Sequence, residues 1–465
     1  MYLIYFSNTY HHFRLPELDS LLELFGYDPN TIYDKSRYSI ESPFLIADFP
    51  DDSCAQKIAS RAVLIKSIYH LWCEGDDWES LFASLQSLSK SFTDPYYELS
   101  KSWKFDIVSF NRKLLPEEQE VFRLKFEPFM PFEGPVKMKN PDYVFACVMH
   151  YQKQVDEIRH LYLGRHVAEG QRNTNDRYDL KKRHYIGPTS TCAELSFLMS
   201  NQIQTCPGYL VWDCFVGTGS ILVAATVHGG ICLGSDIDLR ILNGLKKGKK
   251  AGSIQQNFVQ YGLRQPDLVR MDLSSLPIQF KPLFDGIICD PPYGIRAGAR
   301  RMKTKNDDLT AKNTHKANTE VYDPDDVIID LLDLAARTLV LGGRICYLFP
   351  TLGTHSDDEV PRHPCLKLVS NSEEKLTLLI SRRLITMKKI AEYDVTKQME
   401  YKQFTQQSIV SQNLSYSDIM ESTIIANRNE GKTRSQRRER QVENAKKWKK
   451  IEWCVCYDSF ALLKI

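Results

Sequence analysis

The chain has 465 residues, more than a single domain of ~100–200 residues usually holds, so two or three domains are expected. Hydrophobic residues make up 43% and charged residues 25%, which excludes a wholly disordered or collagen-like chain. Sixty Lys and Arg against 58 Asp and Glu leave a net charge of +2, a balance that by itself does not point to a nucleic-acid partner. No stretch approaches the ~20 consecutive apolar residues of a membrane span, so no membrane partner is expected. The N-terminus Met1-Tyr-Leu-Ile-Tyr-Phe6 lacks the basic region and cleavage site of a signal peptide, and a cytoplasmic location is expected. Twelve cysteines occur without a Cys-x-x-Cys pair. They read as reduced interior thiols, Cys454 and Cys456 included, and no metal site is expected.

The first ~160 residues mix helical and strand patterns without βαβ repetition, which reads as an α+β domain. Leu15–Phe25 predicts a helix that stops at Gly26, and Phe44–Phe49 predicts a strand. Ala59–Trp72 predicts an amphipathic helix. Trp103–Phe110 alternates as a half-buried strand does, and Val136–Cys147 reads as strand, Asn-Pro-Asp turn and strand. The polar segment 164–182 is the expected linker, which places the N-terminal domain at 1–163. From Ala193 onward apolar strands alternate with helix-length segments: Tyr209–Asp213, Ile231–Asp236, Leu268–Met271, Phe284–Cys289, Gly343–Phe349 and Leu376–Ile380. That pattern predicts an α/β, Rossmann-like domain over 183–400 with a mostly parallel sheet. Residues 401–465 read as an extension with a basic tail at 432–450.

Asp213-Cys-Phe-Val-Gly-Thr-Gly-Ser220 follows the first of these strands and precedes a helical run, Ile221–Val227. Glycines at such a turn let the backbone approach a ligand, although Gly217 and Gly219 also suit a plain tight turn. Asp236 ends the second strand, where an acid can accept both hydroxyls of a ribose or cap the next helix; Asp238 can share these tasks. Asp272 ends the third strand, within reach of an adenine amino group. Asp290-Pro-Pro-Tyr293 follows the fourth strand. Pro291 keeps Asp290 extended, so that its carboxylate and the Pro291 carbonyl can accept hydrogen bonds from one amino group while a base stacks on Tyr293. Ligands bind at this carboxyl edge of open α/β sheets, and the combination points to chemistry on an amine.

Asp290-Pro-Pro-Tyr293 resembles the motif of class I S-adenosyl-L-methionine-dependent methyltransferases that modify amino groups of nucleobases. With Asp213–Ser220, Gly234–Asp238, Asp290–Arg296 and Tyr185-Ile-Gly-Pro-Thr-Ser190, the chain resembles catalytic subunits of tRNA guanine-10 N2-methyltransferases over residues 1 to about 395. The likeness is close in the motifs and looser in the first hundred residues. Cys214 departs from it, standing where the family usually has proline. The resemblance implies an N-terminal THUMP RNA-binding module, which Val136–Cys147 suggests, and a small zinc-binding activator subunit as partner beside tRNA. It further implies that Asp213, Phe215, Gly217 and Gly219 form the loop at the methionine part of the cofactor, with Asp236 at its ribose and Asp272 at its adenine. Asp290, Pro291, Pro292 and Tyr293 would hold the guanine. In the usual strand order of this class the third strand lies at a sheet edge, open to a partner strand. Arg296, Arg300, Arg301, Lys303 and Lys305 beside the catalytic turn, and Arg183 in a smaller cluster before the cofactor fold, are candidate RNA contacts, as such cations can follow a phosphate backbone or simply be solvated. The alternatives are methylation of another nucleobase amine, such as adenine N6 or a different tRNA guanine, and a non-catalytic RNA-binding protein of the same fold. A NAD-dependent oxidoreductase would leave Asp290-Pro-Pro-Tyr293 without a role.

Overall fold

The computed structural model describes residues 1–244, 252–292, 299–302, 319–352, 360–376 and 380–411. The chain divides into two compact units, Met1–Asp179 and a second beginning at Leu180. Among the described residues no helix is long and apolar enough to cross a membrane.

The first unit holds a sheet of six strands: β1 Tyr2–Phe6, β2 Phe44–Ala47, β3 Ile65–Gly75, β4 Trp103–Phe110, β5 Tyr143–Tyr151 and β6 Ile158–Glu169. Their order is β2-β1-β3-β6-β5-β4, and β4 and β5 form its parallel pair. The expected first helix is present as Arg14–Leu24, ending before Gly26 at φ +83°. Its buried Glu17 accepts the backbone N–H groups of Val63 and Leu64, both at 2.9 Å, and so pins the approach to β3. The expected helix over Ala59–Trp72 is instead the end of the helix Asp52–Ala59 followed by β3. β3 pairs with both β1 and β6, and register shifts against β6 at Ile68/Tyr69 and Leu71/Cys73 break its two-residue alternation. The broken alternation imitates a helical period, while the β-branched and aromatic side chains suit a strand. Val136 forms only an isolated bridge with Trp103, so the expected strand–turn–strand reduces to the bridge and β5. β6 runs to Glu169, past the expected domain end at 163, and short helical turns at Asn173–Arg177 and Leu180–Lys182 occupy the expected linker.

The second unit is built on β7 Leu210–Asp213, β8 Ile231–Asp236, β9 Asp267–Arg270 and β10 Phe284–Cys289. A two-stranded ribbon follows, β11 Arg300–Met302 with β12 Thr319–Val321, and then β13 Leu339–Leu352, β14 Leu366–Lys375 and β15 Ile380–Lys389. The main sheet has the order β14-β15-β13-β10-β7-β8-β9. Strands β9 to β13 along that order are parallel, and β15 is antiparallel to both its neighbours. This is the expected α/β class, with the third strand of the sheet, β9, at an edge. Of the expected strand Leu376–Ile380, residues 377–379 lie outside the described residues; β14 ends at Lys375 and β15 begins at Ile380, two strands whose polar residues hid them. The helix Pro324–Thr338 covers one face, its Ile328, Leu331, Leu332 and Ala335 packing with Trp212, Ile287, Ile345 and Tyr347 in one apolar core. Residues 401–411 complete the helix Gln398–Ser411, which packs on Pro324–Thr338, so they belong to this unit rather than to an extension. The basic tail at 432–450, with Cys454 and Cys456, lies outside the described residues.

Candidate active site

The chain passes outward from β7 through β8 to β9, then returns to the other side of β7 as β10. At such a reversal the loops after two adjacent parallel strands leave in opposite directions and open a crevice at their carboxyl ends. Asp213 closes β7, Asp236 closes β8 and Asp290 follows β10, so three of the sequence-derived acids arise from three neighbouring strand ends.

The loop after β7 is held in a fixed shape. The Phe215 N–H donates to the Asp213 carboxylate at 3.0 Å, and the Val216 N–H donates to the Ser235 carbonyl of β8 at 2.9 Å. Gly217 has φ +48°, and an added Cβ there would meet nothing nearer than the Phe215 carbonyl at 3.8 Å. Its N–H donates to Asp236 at 3.1 Å, while the other oxygen of Asp236 accepts the Asp238 N–H at 2.9 Å. Gly219 has φ +76° and opens the helix Ser220–Val227; a Cβ there would lie 2.7 Å from Ile254 Cγ2. Glycine is therefore required at 219 by both conformation and space.

The division of labour between Asp236 and Asp238 is resolved by these bonds. Asp238 caps the helix Leu239–Asn243 through the Arg240 N–H and pairs with the Arg240 side chain, which holds its pKa below the usual carboxylate range. Asp236 reaches back to the glycine loop, and burial pushes its pKa up despite the backbone N–H groups it accepts. Asp213 is 1% exposed, and burial first, with the neighbouring charges of Asp236 and Asp290 added, pushes it well above the ordinary range. Among the described residues neither Asp213 nor Asp236 has a cationic side chain as a hydrogen-bond partner. Such desolvated carboxylates are costly when ionised and favour a ligand that brings positive charge and N–H or O–H donors. S-adenosyl-L-methionine carries an ammonium, a sulfonium and ribose hydroxyls, and the donor set fits it.

Asp272 is placed differently. One carboxylate oxygen accepts the Ser274 N–H and hydroxyl, and the other accepts the Met302 N–H of β11 at 2.6 Å. It thus fastens the ribbon β11–β12 beside the third strand, where Ala299 and Tyr322 pack with Val327 against Phe215 and Leu273. Pro291 is buried and Pro292 half-buried, whereas Tyr293 lies outside the described residues. Cys214 packs in the apolar core with Cys289 behind the loop.

The candidate RNA contacts separate into three kinds. Arg183 is 6% exposed and its guanidinium donates to the Ser220 carbonyl at 3.5 Å, so it is corrected from an RNA-facing cation to a brace of the glycine loop. Arg301 pairs with Glu320 at 2.7 Å across the ribbon. Arg300 is exposed, donating to the Thr319 hydroxyl at 2.8 Å. Arg296, Lys303 and Lys305 lie outside the described residues.

Residues that local sequence reading left unassigned complete the site. Tyr185 and Asn257 exchange two hydrogen bonds, at 2.9 and 2.7 Å. The Gly187 N–H donates to the Ser190 hydroxyl, which lies 2.6 Å from the Thr218 hydroxyl in the glycine loop. The segment 185–190 is stapled to the loop, a partnership across sequence that no local period reveals.

A family model described as "Tmrp11 THUMP N-terminal domain" matches residues 1–172. Human tRNA (guanine(10)-N(2))-methyltransferase TRMT11 is 37% identical over 415 residues, 84% of this chain and 89% of that protein. The chain belongs to the TRMT11-like tRNA (guanine(10)-N(2))-methyltransferase family. A Schizosaccharomyces pombe tRNA (guanine(10)-N(2))-methyltransferase is 32% identical over 428 residues, 84% of this chain and 90% of its own. Among solved structures, TrmN from Thermus thermophilus covers 84% of this chain and 99% of its own, with a TM-score of 0.40 and 15% identity. The glycine loop, Asp236 and Asp290-Pro-Pro stand at the carboxyl ends of β7, β8 and β10, the edge at which open α/β sheets bind ligands.

Proposed function

We propose that this chain transfers the methyl group of S-adenosyl-L-methionine to the exocyclic N2 of guanosine 10 in tRNA. The observation that carries the reading is the gathering of Asp213, Asp236 and Asp290 at the reversal between β7 and β10, with no cationic partner on the first two among the described residues. The bound donor supplies an electrophilic methyl on sulfur. Asp213 holds the ammonium of its amino-acid end beside the glycine loop, Asp236 holds its ribose, and Asp272 lies toward its adenine.

Asp290 and the Pro291 carbonyl accept the two hydrogens of the guanine amine, and Tyr293 stacks on the base. These acceptors aim the nitrogen lone pair, and the flanking prolines hold them rigid. The donor, once bound, would supply a methyl whose C–S bonding pair returns to sulfur as the guanine N2 bonds to the carbon. The nitrogen then loses one proton to Asp290 or to water. Guanine N2 is a weak nucleophile, so orientation and fixed acceptors supply much of the acceleration. The target base leaves its stack at a cost of a few kcal/mol, which grip on the surrounding RNA offsets. Exposed Arg300 supplies part of that grip in this reading, and Arg296, Lys303 and Lys305, which lie outside the described residues, remain candidates from the sequence.

A zinc-binding activator subunit completes the enzyme in this reading, adding a strand at β9, the edge of the sheet, where Asp267, Val269 and Arg270 are exposed. The free thiols suit a reducing compartment such as the cytoplasm. The test is to incubate the full chain and that subunit with unmodified tRNA and methyl-labelled donor, then map the labelled nucleotide. Label on N2 of guanosine 10 is expected. Label on an adenine or another guanine would replace the substrate, and donor binding without transfer to any tRNA would favour the non-catalytic alternative.

A further inference from the structure

One corner of the first unit gathers positive charge. Lys66, the second residue of β3, donates to the Tyr5 hydroxyl at 3.0 Å and lies 4.4 Å from the centre of the Tyr5 ring. A lysine that only covered an aromatic ring would extend its ammonium into water. This ammonium turns toward the hydroxyl, is half-buried, and makes no ion pair among the described residues.

Two guanidinium groups stand nearby. After β6 the chain stays beside β3, the Gly170 N–H donating to the Lys66 carbonyl at 3.1 Å and the Gln171 N–H to the Ala62 carbonyl at 2.7 Å. These bonds bring Arg172 to the corner. Buried Arg14 approaches from the helix Arg14–Leu24 and donates to the carbonyls of Ser7, Ile40 and Ser42 and to the Tyr38 hydroxyl. These neutral acceptors satisfy its N–H groups and leave its charge in place. Burial, then Arg172 and Arg14, push the Lys66 ammonium down to about 8. The phenol of Tyr5 feels the same two charges against its own burial. No acid appears among the groups acting on either residue.

Lys66 is a partly desolvated ammonium on which cations act and no acid does, and an anion relieves that cost. Lys66 has two further N–H donors, and the Tyr5 hydroxyl, which accepts from Lys66, has its own proton to give. We infer that Lys66 and the Tyr5 hydroxyl, in the field of Arg172 and Arg14, form a phosphate-binding site that takes a backbone phosphate of the tRNA. The inference rests on the reading of the chain as a tRNA methyltransferase. It places an RNA contact on the β1–β3 corner of the first unit, outside the loop cations of the second. Free phosphate has the same chemistry and is separated from RNA by the experiment.

The full chain, Lys66→Met and Lys66→Arg are titrated with unmodified tRNA across a range of potassium chloride, and each is titrated with S-adenosylhomocysteine as a control. Lys66→Met is expected to bind tRNA about five- to tenfold more weakly and to flatten the log–log salt dependence by about one unit, the signature of one lost phosphate contact. Lys66→Arg retains the slope, and all three bind S-adenosylhomocysteine alike. Unchanged tRNA affinity and slope in Lys66→Met would overturn the site. A third arm measures thermal midpoints in inorganic phosphate. A midpoint raised by phosphate in the wild type but not in Lys66→Met, with equal tRNA affinities, would overturn the RNA assignment in favour of free phosphate. A wild-type chain that binds S-adenosylhomocysteine but no tRNA would overturn the functional reading, and RNA as the source of the phosphate with it.

Discussion

Desolvated charge of one sign collects at two places in this chain, and the two are assembled in opposite ways. At the carboxyl ends of β7, β8 and β10, acids meet because parallel strands that differ in sequence position end side by side. At the β1–β3 corner, Lys66, Arg172 and Arg14 come from a strand, a segment after β6 and a helix, and no repeated topology places them together. Asp213 and Asp236 hold backbone N–H groups of the glycine loop, whereas Arg14 is tied to carbonyls and the Tyr38 hydroxyl and Lys66 to a phenol. Asp213 and Asp236 in one place, and Lys66 and Arg14 in the other, satisfy hydrogen bonds without an ion pair among the described residues, and each place favours a ligand of opposite sign: a cationic methyl donor in one case, a phosphate in the other. A net charge of +2 over the whole chain conceals both.

The largest expected effect separates the acid that meets the target from those that meet the donor. Asp290→Ala should lower methyl transfer by about two to three orders of magnitude, the range for losing an oriented polar group, with donor affinity nearly intact. Transfer within about tenfold of wild type would remove Asp290 from the chemistry. Asp236→Ala should show the reverse emphasis. Calorimetry should find donor affinity reduced by about tenfold or more, equivalent to ~1.4 kcal/mol, because the ribose loses its acceptor and the Gly217 N–H its partner.

A smaller effect tests whether the acid pocket is strained when no ligand is bound. The folded-state pKa of Asp213 is raised above its unfolded value, so the ionised side chain opposes folding at neutral pH, and that cost disappears as the pH falls and the group is protonated. Asp213→Asn without ligand should therefore melt a few degrees higher than wild type at neutral pH, the two should converge in acid, and the variant should bind donor poorly. A lower midpoint at neutral pH would mean that the Phe215 N–H bond outweighs the desolvation. The smallest effect is expected at Ser190→Ala, which loosens the staple to Thr218 and should raise the KM for the donor a few-fold with kcat little changed. A fall in kcat with unchanged KM would contradict that positioning role.

Much of the second unit was legible because β7, β8 and β10 are largely apolar runs, each ending in an acid or followed by one: Asp213, Asp236 and Asp290. A buried parallel strand has apolar residues on both faces, and functional side chains gather where it ends. β3 misled because its bulges break the alternation that marks a strand, and β14 and β15 because their polar residues obscured them. Arg183 misled for another reason. A cation in the run Lys181-Lys182-Arg183 reads as solvent-facing, and only the fold turns this one inward to the Ser220 carbonyl. The Ser190–Thr218 and Tyr185–Asn257 pairs span 28 and 72 positions, far beyond any local period. Asp238 was readable as a cap or as a ribose ligand, and the choice rests on the Arg240 N–H that it accepts.

The central claim is that the carboxylates at the β7–β10 reversal divide between a cationic methyl donor and a target amine. Calorimetric titration of S-adenosyl-L-methionine into wild type, Asp236→Ala and Asp290→Ala tests it most directly. The account predicts binding by wild type and Asp290→Ala with similar affinity, and binding at least about tenfold weaker by Asp236→Ala. Equal affinity in all three, or loss of binding in Asp290→Ala alone, would contradict it.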